Sequence, residues 1–138
     1  MSNRTFTIIK PDSVRKGNFG KIIAKLESEG FKVLGLKKAI LSQRQAESFY
    51  SVHRERPFFG SLVKYMTSGP VYVAALQRDN AVGHLRKVMG ATDPAKADAG
   101  TVRKEFGESI EQNAIHGSDS DENAKLEIAF FFAESELV

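Results

Sequence analysis

The chain has 138 residues, 41% hydrophobic and 27% charged, an ordinary balance for a soluble domain that builds its own core. It contains no cysteine, which excludes disulfide frameworks and thiolate metal sites, and no apolar run approaches bilayer-spanning length. A formal charge of +3 and a pI of about 9.2 suit an anionic small molecule, a nucleic acid, or neither in particular.

Met1-Ser2-Asn3-Arg4 leads directly into a strand pattern with no apolar leader, so one cytoplasmic domain over residues 1–138 is expected. Thr5-Phe6-Thr7-Ile8-Ile9-Lys10 is short and β-branched and stops at Pro11, which reads as a buried strand. From Asn18 to Glu29, Phe19, Ile22, Ile23 and Leu26 recur at helical spacing, and Gly30 supplies the stop. Phe31 to Leu41 reads as a second strand. Ser42 and Gln45 form a capping-box start for a short helix with Ala46, Phe49 and Tyr50 on one face, broken by Pro57. Phe59, Leu62, Val63 and Met66 repeat the helical spacing until Ser68-Gly69-Pro70. Val71 to Leu76 is a third strand. Asn80 opens a helix holding Val82, Leu85 and Met89, and Gly90 ends it.

Between Ala91 and Gln112 periodicity fades, predicting a long loop with one helical turn after Thr101; loops of this length inside a domain are usually functional. A short strand around Ile115-His116 precedes a helix from about Asp121 to Phe131. Asp119 and Glu122 are its expected capping pair, with Ala124, Ile128 and Phe131 facing inward. The order β-α-β-α-β-α-β argues an α+β, ferredoxin-like sandwich: a four-stranded antiparallel sheet covered by helices, placed on one face.

The segment Asn113-Ala114-Ile115-His116-Gly117-Ser118-Asp119 concentrates the chemistry. Imidazole titrates near neutrality, so His116 can act as a nucleophile or proton carrier without a large pKa shift. Gly117 beside it would let a ligand approach the backbone. His53 is expected in a packing or surface role and His84 on an exposed helix position. The three histidines lack metal-ligand spacing, so no protein-built metal site is expected. A phosphate-binding loop is excluded: Gly30 and Gly35 have the glycine spacing, but Leu36 stands where the lysine must be. Lys10, Arg86 and Arg103 each sit at a structure break. Singly each reads as a surface cation; converging on His116 they would clamp a polyphosphate.

Lys10-Pro11-Asp12, Arg86 with Gly90-Ala91-Thr92-Asp93-Pro94, Gly100-Thr101-Val102-Arg103, the His116 segment and Glu127-Ile128 occur in that order. In these motifs, from about Thr5 to Phe132, the chain resembles the nucleoside diphosphate kinases. The turn Gln77-Arg78-Asp79-Asn80 is more basic than the family's usual form, and Lys104 and Gln112 also vary. No position the family uses for chemistry is altered.

The resemblance implies ping-pong transfer of the γ-phosphate from a nucleoside triphosphate such as ATP or GTP to a nucleoside diphosphate, through phosphohistidine at His116. It also implies that Glu127 accepts from the other ring nitrogen, that Ser118 holds Glu127 and that Tyr50 supports the imidazole from the side. Arg86 and Thr92 would contact the β-phosphate and Arg103 the γ side. Lys10 and Asn113 would hold the ribose 3′-hydroxyl, with Lys10 also near the transferred group. Phe58 would stack on the base with Ile110 as the opposite wall; the helical stripe turns Phe59 inward and leaves Phe58 outward. Mg²⁺ would be held mainly by nucleotide phosphates. A homo-oligomer is implied, tetramer or hexamer, with the Phe130 to Phe132 end as a contact patch, no membrane association and no obligate nucleic acid. An RNA-binding module would suit the same fold and charge, but no strand carries the aromatic RNA-binding signature. A relative without catalysis would not need His116, Glu127 and Ser118 intact.

Overall fold

The first strand has no solvent side. In β1 (Arg4–Ile9) every residue from Thr5 onward is buried, the pattern of a strand covered on both faces. A computed structural model describes residues 3–138; Met1 and Ser2, where the expectation of no leader begins, lie outside the described residues. After β1 come α1 (Pro11–Arg15), α2 (Phe19–Ser28), β2 (Lys32–Ala39), α3 (Gln43–Phe49) and α4 (Phe59–Met66). They are followed by β3 (Val71–Gln77), α5 (Ala81–Met89), α6 (Val102–Phe106), β4 (Ile115–Gly117) and α7 (Asp121–Phe131).

The four strands form one sheet in the order β2-β3-β1-β4, every neighbouring pair antiparallel. This is the expected ferredoxin-like α+β arrangement, with one correction: helices cover both faces. Ile9, Ala74 and Leu76 pack with Ile22 and Leu26 of α2 and Leu85 and Met89 of α5. Phe6, Ile8 and Val73 point the other way, to Met66 of α4 and Ile128 of α7. Phe131 stacks on Phe6 at 5.4 Å with the rings 5° apart, so α7 lies along the central strand.

Local chemistry explains several helix starts. Ser42 and Gln45 form the reciprocal capping box expected for α3. The cap of α7 is corrected: Ser120, not Asp119, accepts from the Asn123 N–H at 3.0 Å, while Asp119 holds the Asn123 side chain at 2.6 Å. The three phenylalanines at the end of α7 also divide differently than expected. Phe130 is exposed, Phe131 lies half-buried on Phe6, and Phe132 is buried against Gly35 of β2. They do not form a continuous exposed patch.

Cross-strand partners share a face of a sheet. His116 pairs with Ile8, so its ring projects to the side that α7 covers. Lys10 leaves the neighbouring end of β1, and its backbone N–H donates to Ala114 at 2.9 Å. The fold thus brings the Lys10 motif and the His116 segment together beside the edge strand β4.

Candidate active site

A cleft of about 560 Å³ opens at this edge, and every site residue expected from the sequence lines it except Ser118. Ser118 is buried directly behind. At the bottom, His116 Nε2 lies 2.9 Å from Glu127 Oε1, and the Ser118 hydroxyl donates to the same oxygen at 2.7 Å. A carboxylate oxygen only accepts, so the ring proton sits on Nε2 and the Nδ1 lone pair is left open. The Thr7 hydroxyl donates to the His116 carbonyl at 2.7 Å and fixes the backbone below the ring.

Aromatic edges surround the imidazole. Phe49 lies 5.6 Å away at 74°, Phe6 6.2 Å away at 62°, and Tyr50 6.3 Å away at 88°. The Tyr50 hydroxyl is buried with no protein partner, and Tyr50 lines the cleft. Burial, with the Glu127 charge added, raises its pKa, so the phenol stays protonated and can donate to an anionic ligand.

The cations are anchored before any ligand arrives. Lys10 Nζ donates to Asn113 Oδ1 at 2.9 Å and to the Glu111 carbonyl at 3.1 Å. Burial, reinforced by the Arg103 charge, pushes its pKa down to about 8 from 10.5. Arg103 donates to the carbonyls of Ile115 at 2.8 Å and Gly90 at 3.1 Å, with Nε buried and unpartnered. Burial first, then repulsion from Arg86, brings its pKa down to about 10. Asn113 is buried, and its amide donates to the Thr92 carbonyl at 3.0 Å, tying the His116 segment to the Gly90–Pro94 loop. Arg86 and Thr92 stand exposed on the cleft wall, Arg86 reaching the Gly117 carbonyl at 3.5 Å. Phe58 and Ile110 are exposed apolar side chains at the rim.

Gly117 serves packing more directly than ligand approach: a side chain there would run into Met89 and Leu85 of α5. His53, expected in a packing or surface role, lines the cleft with its ring 5.4 Å from Phe58. His84 instead pairs with Glu29 at 2.9 Å. Two contributors had no role assigned from sequence. Phe49 was placed on a helix face, with nothing to show that the face meets His116. Asp12 stands in a motif, but its backbone partner Ala114 lies 102 residues away. Among the described residues no three His, Cys, Asp or Glu side chains gather as a metal cage. A divalent cation bound here would therefore draw most of its oxygens from phosphates, as Mg²⁺ commonly does.

The family model for nucleoside diphosphate kinase matches residues 3–137. A nucleoside diphosphate kinase of Granulibacter bethesdensis is 59% identical over 135 residues, covering 98% of this chain and 96% of its own. One from Rhizorhabdus wittichii is 58% identical over 137 residues, 99% of this chain and 98% of its own. Among solved structures, the Aquifex aeolicus nucleoside diphosphate kinase superposes with a TM-score of 0.96 at 43% identity over 99% of both chains. The halophilic enzyme of Halobacterium salinarum, in complex with CDP, superposes with 0.95 at 39% identity, over 100% of this chain and 92% of its own. No helix among the described residues is long and apolar enough to cross a membrane. A match along nearly the whole length, at this identity and on this fold, has one meaning: the chain belongs to the nucleoside diphosphate kinase family and is a phosphotransferase.

Proposed function

We propose that the enzyme works by ping-pong transfer through phosphohistidine at His116. The observation that carries this reading is the 2.9 Å contact between His116 Nε2 and Glu127, itself held by Ser118. The Nδ1 lone pair forms a bond to the γ-phosphorus while the bond to the β,γ-bridging oxygen breaks, and that electron pair leaves with the nucleoside diphosphate. The Nε2 proton stays on the ring and is shared with Glu127. A second diphosphate then attacks the phosphohistidine with a terminal β-phosphate oxygen, and Nδ1 regains its lone pair. Donor and acceptor occupy one pocket in turn, which splits the transfer into two easier in-line steps.

Lys10, Arg86 and Arg103 supply fixed positive charge for the phosphates, with Thr92 hydrogen-bonding the β-phosphate. Lys10 and Asn113 hold the ribose 3′-hydroxyl. Tyr50 steadies the imidazole, and Phe58 and Ile110 clasp the base by its faces, so purines and pyrimidines both fit. Mg²⁺ held by the nucleotide's own phosphates would neutralise part of their charge. The chain acts as one domain in the cytoplasm, as a homo-oligomer of four or six copies, on ATP, GTP and other nucleotides without obligate nucleic acid.

His116→Gln tests the assignment. Wild-type protein mixed with ATP and magnesium and quenched in alkali gains one acid-labile phosphate by intact mass, and the variant gains none. GTP-to-UDP exchange falls to background in the variant while its circular dichroism is unchanged. Substantial residual exchange would overturn the role of His116.

A further inference from the structure

We propose that Asp12 is a positioning residue for this transfer: its buried carboxylate holds a left-handed turn at Ala114 that aims His116. The proposal rests on the reading of His116 given above.

Ala114 has φ +77°, a conformation L-residues other than Asn and Asp rarely adopt. The Ile115 N–H donates back to the Asn113 carbonyl at 2.9 Å, which makes Asn113-Ala114-Ile115 a tight three-residue turn, a strained form when the central φ is positive. Such a turn persists only where its surroundings over-determine it. Two contacts do so. The Ala114 N–H donates to Asp12 Oδ2 at 3.1 Å, and the Ala114 carbonyl accepts from the Lys10 N–H at 2.9 Å. The turn lies between Asn113, which holds Lys10, and His116 itself.

Asp12 is itself clamped. It is completely buried, its Oδ1 accepts from the Tyr65 hydroxyl, and its own N–H donates to Tyr65 at 2.8 Å. A buried carboxylate is costly unless its oxygens are satisfied. Here Tyr65 satisfies one oxygen and the strained turn the other. Burial and the bond to Asp12 raise the Tyr65 pKa, so it remains a donor across the working pH range. The chain Tyr65–Asp12–Ala114 therefore runs from α4 through α1 to the residue two before His116. Without Asp12 the turn relaxes toward negative φ, and Asn113 and His116 rotate together.

Single-turnover phosphorylation of His116 by ATP, followed by quench, separates this role from general stability. Asp12→Ala should slow phosphohistidine formation by about 100-fold, the scale of a reacting group misplaced by ~1 Å, with nucleotide affinity changed far less. Adding Ala114→Gly should recover about tenfold, the factor that a left-handed conformation costs an L-residue. A double variant no faster than Asp12→Ala, or Asp12→Ala as fast as wild type, would overturn the proposal. If Asp12→Ala does not fold, Asp12→Asn keeps the shape and one acceptor. It should slow the step less, and Ala114→Gly should rescue it; absence of that rescue counts against the proposal equally. A wild-type protein that never forms phosphohistidine defeats the His116 reading instead.

Discussion

The floor of the cleft and its rim are built by opposite means. At the floor, Lys10, Arg103, Asn113 and His116 each spend polar atoms on protein partners, and the first three are buried. At the rim, Phe58 is 46% exposed, Ile110 61% and Val52 82%. A floor organised before the ligand arrives needs no rearrangement to stabilise charge developing on phosphorus, which is where fixed donors act most strongly. On the proposed reading, a rim of apolar faces would hold any base and discriminate weakly. On that reading the chemistry is exacting at one end of the nucleotide and permissive at the other.

The sharpest way to break that contrast is at Arg103. It donates to the carbonyls of Ile115 and Gly90, so it braces both the His116 strand and the Gly90 turn. Arg103→Ala should cost about 1.5–3 kcal/mol in kcat/KM, the range for a charged hydrogen bond, and equally for every nucleotide. An unchanged kcat/KM would show that the floor does not depend on this cation.

Titration probes the floor next. With its pKa down to about 8, Lys10 loses its ammonium as pH rises through that value, so KM for a polyphosphate should climb between pH 7 and 9.5. The stability term runs the other way. Between about 8 and 10.5 an unfolded lysine holds a proton that the folded one has released, so folding gains from this group as pH rises. Lys10→Met should flatten the KM profile and remove that gain in Tm. A wild-type KM that stays level to pH 9.5 would place the titration elsewhere.

The same contrast explains what was legible in the sequence. The floor residues sit in contiguous motifs, where the pattern of His116, Glu127 and Ser118 carries its own chemistry. The antiparallel sheet followed from the order of strands and helices along the chain. The second helical face did not: where Thr5 and Thr7 alternate with Phe6 and Ile8, a strand buried on both sides and one buried on a single side differ only by context. Ser120 and Asp119 are near-equal caps one residue apart, and only the packed helix decides between them. The role of Asp12 was hidden because its partners, Tyr65 and Ala114, are distant in sequence and meet only through the fold.

At the rim the expected effects are smaller. Phe58→Ala should weaken nucleotide binding by about 1–3 kcal/mol, the range for an aromatic stacked on a base. Because the ring offers only its face, adenine, guanine, cytosine and uracil nucleotides should lose similar amounts. Loss confined to one base would reveal edge recognition that an apolar rim cannot supply.

The smallest change asks whether floor and rim are independent. The Ser61 hydroxyl, three residues after Phe58, donates to the Glu111 carboxylate at 2.7 Å, and Glu111 adjoins Ile110. The two walls of the proposed base slot are thus linked by one exposed bond. The Glu111 carbonyl also accepts from Lys10 at 3.1 Å, so the link touches the floor. If the bond only sets the spacing of the walls, Ser61→Ala should raise KM for all nucleotides by severalfold, matching about 0.5–1.5 kcal/mol for a single solvent-exposed hydrogen bond, and leave kcat alone. A fall in kcat at constant KM would mean that the rim steers Lys10, and the separation between exacting floor and permissive rim would not hold. The floor's own tethers argue for the first result: Lys10 keeps its bond to Asn113, and Asn113 its bond to the Thr92 carbonyl, whatever happens at Ser61.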